Sequence, residues 1–278
     1  MKSVPKYDAD LHCHTSASDG ESTPEEVVLL AAETGLKALA ITDHDTVSGL
    51  EDAEKKARQL GIILVKGIEI NTDGDGKEVH VLGLSMDEKK PYLKKKLVEL
   101  QGKRIIRINE ILEKLKKLRV DISYQEVLIY AKGESVGRPH VAQAMVKHGY
   151  VASFKEAFDR YLKIGSPAYV PRKKITPVLA IEIIREAGGV AVLAHPGDRI
   201  LDSEIKLWIN EGLQGIEVNH PDHSKQEIMK YTRITEKMKL IATGGSDYHG
   251  SGIKPGIKLG GWGVGLEVID QIEKAKAK

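Results

Sequence analysis

Short apolar segments alternate with capped helical stretches over two parts of this chain, and a long part between them lacks the alternation. That pattern constrains the fold more than any other feature. Strand-like runs occupy residues 7–13, 37–42, 62–70, 78–84, 189–194, 215–219 and 240–243. Helical patterns fall between most of them, at 24–34, 47–60, 176–187, 203–211 and 225–237, with a last one at 267–277. Thr23 is placed to cap the first helix, Pro24 fills its first position and Gly35 ends it. Strands linked by helices predict a parallel sheet with helices outside it. Residues 73–76, Asp-Gly-Asp-Gly, read as a hairpin turn joining the third and fourth strands.

From 88 to 172 the strand signal stops. Ile105, Ile108, Ile111, Leu112, Leu115 and Leu118 recur at helical spacing, and Ser123-x-x-Glu126 and Ser153-x-x-Glu156 are capping boxes. The chain is therefore expected to be an α/β barrel made of residues 1–87 and 173–278, carrying an all-helical insertion at 88–172. Its 278 residues suit that arrangement. With 42 basic and 40 acidic residues the net charge is +2, which excludes a uniformly basic nucleic-acid coat. The segment 88–119 is locally basic, with twelve Lys and Arg against four Glu. No run approaches the ~18 apolar residues of a membrane span, and the N-terminus has no signal-like stretch, so a soluble cytoplasmic protein is expected. No obligate protein partner is evident.

One cysteine, Cys13, and ten histidines mean that a metal site here must be built from His and carboxylate. The candidates sit at strand ends. His12 and His14 lie two apart in the first strand, where side chains share a face. Asp10 shares it too and is expected to orient one of them, while Cys13 alternates away and is read as a small core residue. Asp19, Asp43-His44-Asp45, Glu69, His195, His220 and Asp247-x-His249 follow or end other strands, and His80 lies in the fourth. In a parallel barrel the C-terminal strand ends share one mouth, so residues 240 positions apart can converge.

Asp10-Leu11-His12-Cys13-His14-Thr15, Ile41-Thr42-Asp43-His44-Asp45, Gly67-Ile68-Glu69, Val79-His80-Val81-Leu82-Gly83, Ala194-His195-Pro196 and Gly245-Ser246-Asp247-Tyr248-His249 stand in that order. Together they resemble the motifs of the polymerase and histidinol phosphatase (PHP) family. The resemblance implies a distorted (β/α)7 barrel and a metal-dependent phosphoesterase with two or three divalent ions, Mn²⁺ foremost and Fe²⁺, Zn²⁺ or Mg²⁺ as alternatives. It implies that His12, His14, Glu69 and Asp247 hold one ion. Glu69 would bridge to a second ion held by His80 and His195, and Asp19, His44 and His249 would hold a third.

Val136-Gly137-Arg138-Pro139-His140-Val141-Ala142, Ala168-Tyr169-Val170-Pro171 and the stretch from Gly215 to Ser224 resemble a subgroup carrying a helical insertion. That subgroup contains phosphatases of nucleoside 3′,5′-bisphosphates and 5′-to-3′ exonucleases of short RNA. Its insertion implies substrate contacts from Arg138 and His140, with His223 as a further candidate. Arg104 and Arg107, on adjacent turns of the basic helix, are expected to steer an anion. His249 or His220 could protonate the leaving oxygen. His148 is assigned no function. The expected reaction is removal of the 3′-phosphate from a nucleoside 3′,5′-bisphosphate. The alternatives are 5′-to-3′ cleavage of short 5′-phosphorylated RNA and a histidinol-phosphatase-like reaction. A scaffold that binds metal without turnover should have lost ligands, whereas all nine positions here carry competent ones.

Overall fold

The computed structural model describes residues 7–74, 76–171 and 175–276. The expected insertion boundary at 172/173, Asp75 of the predicted turn and the predicted end of the last helix at 277 lie outside them. Seven strands form one sheet in chain order: β1 (Ala9–Asp10), β2 (Ala38–Ile41), β3 (Ile63–Gly74), β4 (Lys77–Leu84), β5 (Val190–Ala194), β6 (Gly215–Asn219) and β7 (Ile241–Gly244). Backbone hydrogen bonds from Leu11 N to Gly244 O and from Asp247 N to His12 O bring the two edges together, so the sheet nearly closes into a barrel. Strands of this barrel are buried on both faces. In β2, Leu39 and Ile41 belong to the larger apolar cluster, and Ala38 and Ala40 to the smaller one.

The sheet is not parallel throughout. β1–β2, β2–β3, β5–β6 and β6–β7 are parallel, but β4 runs antiparallel to both β3 and β5. The cause is the short turn before Lys77. A parallel return needs a crossover of roughly a dozen residues, which is absent here. β4 thus brings its early residue His80, paired with Asn71 and Ala194, to the end of the barrel where its neighbours finish.

Helices α1 (Pro24–Thr34) and α2 (Leu50–Leu60) follow β1 and β2. Thr23 caps α1 reciprocally with Glu26, and Gly35 ends it in the left-handed region at φ 87°. α3 (Pro91–Lys117) is the longest helix, at about 40 Å. Its buried stripe changes partner along its length. Leu93, Leu97 and Leu100 pack in the barrel's larger cluster, whereas Ile108, Ile111, Leu112 and Leu115 enter a separate one. Ile105 and Leu118, expected in that stripe, are 41% and 40% exposed. Arg104 and Arg107 lie between the two halves, both buried.

The second cluster is completed by α4 (Tyr124–Leu128), α5 (Arg138–Lys147), α6 (Phe154–Ala157) and a π-helical turn at Phe158–Leu162. Ser123 and Glu126 form the full capping box; at Ser153 only half forms, because the Glu156 carboxylate takes the Ala152 N–H instead. The barrel resumes with α7 (Pro177–Glu186), α8 (Asp202–Asn210), α9 (Lys225–Met238) and α10 (Glu267–Lys276). No helix among the described residues is long and apolar enough to cross a membrane.

Candidate metal centre and catalytic cavity

The end of the barrel facing the insertion collects the strand-end residues. His12 and His14 are fully buried, with their Nε2 atoms 3.1 Å apart. Glu69 Oε2 lies 3.4 Å and 3.2 Å from them, and Asp247 Oδ1 3.6 Å and 3.2 Å. The other Glu69 oxygen lies 2.8 Å from His80 Nδ1 and 3.0 Å from His195 Nε2. Around Asp19 stand His44 Nε2 at 3.6 Å, His249 Nε2 at 3.4 Å and His14 Nδ1 at 3.8 Å. All nine expected ligands thus fall in one connected cluster. Its subsets His12/His14/Asp247, Glu69/His80/His195 and His14/Asp19/His44/His249 each have ligand atoms within 4.8 Å of one another. His80 and His195 keep 18% and 21% exposure while His12 and His14 keep none, so Glu69 is approached from its His80/His195 side.

The chemistry of this donor set fits divalent cations. Two imidazole nitrogens face each other with carboxylates on both sides, and the buried His14 Nδ1 has no hydrogen-bond partner. Burial resists ionisation of Asp19, Glu69 and Asp247, but their neighbours outweigh it. His44 and His249 act on Asp19, His44 and His80 on Glu69, and Lys254 and His12 on Asp247; all three stay well below the usual carboxylate range. Nitrogen and oxygen donors without sulfur suit Mn²⁺, Fe²⁺, Zn²⁺ or Mg²⁺. Backbone strain marks the same place: Asp45, His195 and Asp247 have φ of 51°, 26° and 52°.

Two supports differ from expectation. Asp10 does not orient a histidine ring. Its carboxylate accepts backbone N–H groups from Ser246 and Gly260, each at 2.9 Å, and from His12 at 3.3 Å, and so ties the loop after β7 to β1. The carboxylate that holds His12 is Glu217 of β6, with oxygens 3.1 Å and 3.2 Å from Nδ1; it also accepts the His195 N–H at 2.9 Å. Burial opposes the charge on Glu217, but His12 and His220 bring it down to about 2. Cys13 is buried in the core, its thiol donating to Ala40 O.

His220 is buried at the same mouth. Its Nδ1 accepts the Asp222 N–H, which leaves the proton on Nε2, 3.4 Å from Asp247 Oδ2. His249 Nδ1 lies 2.8 Å from the Asp247 carbonyl oxygen, and donation there frees Nε2 toward Asp19.

Between this cluster and the insertion lies a cavity of about 390 Å³. Asp19, His44, Glu69, His80, His195, Asp247 and His249 form one wall. Arg104, Arg138, Phe154 and Phe158 of the insertion form the other. The expected substrate contacts are placed unevenly. Arg138 lines the cavity, but its guanidinium donates to Glu78 Oε2 at 2.7 Å and to Leu162 O at 3.1 Å. Arg107 donates to the other Glu78 oxygen and to Val170 O and does not line the cavity. Arg104 is bound to Asp45 and Val136 O, with Nη2 left unpartnered. His140 is not a cavity residue: Nδ1 accepts the Gly137 N–H, and Nε2 reaches Ser18 O at 2.9 Å. His223 is likewise engaged at both nitrogens, by Val218 O and the Gly197 N–H. Lys254, Arg199 and Asn71 line the cavity without having been singled out from the sequence.

The PHP domain model matches residues 10–170. The chain belongs to the PHP family. It is 36% identical over 248 residues to a 5′-3′ exoribonuclease of Haemophilus influenzae, covering 86% of this chain and 89% of that protein. It is 32% identical over 249 residues to a 3′,5′-nucleoside bisphosphate phosphatase of Chromobacterium violaceum, covering 87% of each. A solved structure from Bifidobacterium adolescentis, described as a metal-dependent phosphoesterase, matches 98% of this PHP chain and 97% of its own length, with a TM-score of 0.91 and 30% identity. This PHP protein is therefore a metal-dependent phosphoesterase, and its His and carboxylate clusters are able to bind metal.

Proposed function

We propose that this enzyme removes the 3′-phosphate from nucleoside 3′,5′-bisphosphates in the cytoplasm. The observation that carries the reading is the cavity. A space of about 390 Å³ suits a mononucleotide, and its walls set the carboxylate-histidine cluster opposite basic and aromatic side chains. Anion-binding and cation-binding surfaces then face each other across one substrate. The Chromobacterium relative named for this activity adds support.

The nine clustered residues would hold two or three ions, with Mn²⁺ favoured by the carboxylate at Asp19 beside imidazole donors. Divalent ions bound there supply an acidified water and neutralise charge on the phosphate oxygens. The protein's own groups do the rest. Glu217 fixes the His12 ring, and His220, which does not line the cavity, keeps its Nε2 proton toward Asp247. Phe154 and Phe158 offer the base an apolar wall.

The test is phosphate release with Mn²⁺ present, comparing 3′-phosphoadenosine 5′-phosphate, 5′-AMP and histidinol phosphate. Fastest turnover of the bisphosphate is expected; preference for histidinol phosphate would overturn the substrate assignment. A second reading is 5′-to-3′ cleavage of short 5′-phosphorylated RNA. A shallow groove lined by Tyr130, Gln143 and Lys147 shares Phe154 and Ile253 with the cavity, giving a longer chain somewhere to continue. Stepwise mononucleotide release from a 5′-phosphorylated oligomer would support it.

A further inference from the structure

We infer that Arg199 receives the second phosphate of the substrate, the one that is not cleaved. The inference rests on the nucleotide-phosphatase reading above and names the group that gives it specificity. Among the described residues, five Lys and Arg side chains line the cavity: Arg104, Arg138, Lys155, Arg199 and Lys254. Four already have a carboxylate. Arg104 pairs with Asp45, Arg138 with Glu78, Lys155 with Asp159 and Lys254 with Asp247. Arg199 has no hydrogen-bond or ion-pair partner among the described residues, and it is exposed. A guanidinium that is not already matched is the one that an incoming phosphate can engage bidentately without first breaking a pair.

The backbone that carries Arg199 is held in place from behind. Arg199 lies in the loop from His195 to α8, two residues beyond Gly197. Buried His223 accepts the Gly197 N–H at 3.2 Å, and its other nitrogen is committed to Val218 O. Tyr231, fully buried, donates its hydroxyl to Gly197 O at 2.6 Å. Lys230 reaches Ile200 O at 3.3 Å. Both polar groups of one glycine are thus fixed by buried side chains from β6's loop and α9, and the exposed arginine is presented from a set position. His195, at the start of the same loop, touches Glu69, so the loop couples the ion cluster to the arginine over four residues.

Arg199 also borders a small side pocket shared with Glu78, His80 and His195. Glu78 is where Arg107 and Arg138 converge. Two guanidiniums on that carboxylate make this flank of the mouth positive, which favours a dianionic group beside Arg199.

The experiment measures kcat/KM of the Mn²⁺-loaded enzyme for a nucleoside 3′,5′-bisphosphate and for the matching nucleoside 3′-monophosphate, and takes their ratio. In Arg199→Ala the ratio is expected to fall roughly tenfold to a hundredfold, mainly through KM. Arg199→Lys should restore part of it. Tyr231→Phe, which frees Gly197 O, should lower the same ratio by less, marking Tyr231 as a positioning residue. An Arg199→Ala enzyme that loses both substrates in equal proportion would overturn the assignment while leaving the phosphatase reading standing. A wild-type enzyme with no preference for the bisphosphate would overturn both.

Discussion

An imidazole can ligate an ion only through a nitrogen that carries a lone pair, so the partner of its other nitrogen decides what it can do. For His12 that partner is Glu217, and for His249 it is the Asp247 carbonyl. Glu217→Gln keeps the shape but removes the charge, and is expected to lower affinity for Mn²⁺ about 10- to 100-fold, measured by calorimetric titration with circular dichroism unchanged. Protonation gives a second prediction. Burial disfavours a charged His14, but Asp247 and Glu69 outweigh it and raise its pKa to about 9; His12 is raised as well, by Glu217 and Asp247. Without ions His14 therefore carries an extra proton at neutral pH, and loading must expel it. Titration in buffers of different ionisation enthalpy should show proton release on loading at pH 7, with apparent affinity rising as pH rises. Most ligand positions were legible because they follow or end a strand, although Glu69 lies inside β3 and His80 inside β4. Glu217 was not: it sits inside the apolar run Gly-Ile-Glu-Val-Asn, and a lone carboxylate in a buried strand was the signal available. The roles of Arg138 and His140 came from a resemblance in the local sequence, but their partners Glu78 and Ser18 are 60 and 122 residues away in sequence.

At the scale of elements, α3 does what the separate helices of the insertion cannot. It packs in the barrel core at one end and in the insertion core at the other, with two buried arginines where its partner changes. Arg104 Nε lies 2.6 Å from Asp45 Oδ2, with side chains 6% and 0% exposed. Arg104→Met takes the guanidinium from a buried carboxylate and is expected to cost about 3 kcal/mol of unfolding free energy in urea. Adding Asp45→Asn should cost less than the sum of the two single changes, because the pair couples. The helical pattern made α3 visible, yet periodicity says nothing of a change of partner half-way along. The direction of β4 was legible from its link alone: a buried strand reads alike either way, but the hairpin turn before Lys77 carried the information.

On the scale of the whole molecule, the insertion is seated on the barrel by close approach as well as by charge. A Cβ at Gly133 would fall on the Ala17 carbonyl, and His140 reaches Ser18 O beside it, just before Asp19 of the cluster. Gly133→Ala should therefore lift the insertion from the barrel mouth and lower kcat/KM more than tenfold while the barrel still folds, as thermal unfolding followed beside activity would show. The cluster itself acts on global stability in the opposite direction. Asp19, Glu69, Glu217 and Asp247 are carboxylates brought together under burial, with imidazoles and Lys254 beside them. Ions that bind the folded chain and not the unfolded one add RT ln(1 + [L]/Kd), about 2.7 kcal/mol per site at a hundredfold excess over Kd. A chelator should accordingly lower Tm by several degrees, and Mn²⁺ should restore it in a concentration-dependent way. In Glu217→Gln the same chelator should move Tm less, because weaker binding has less stabilisation to withdraw. A Tm indifferent to chelation in the wild type would mean that the cluster does not draw on bound ions for stability.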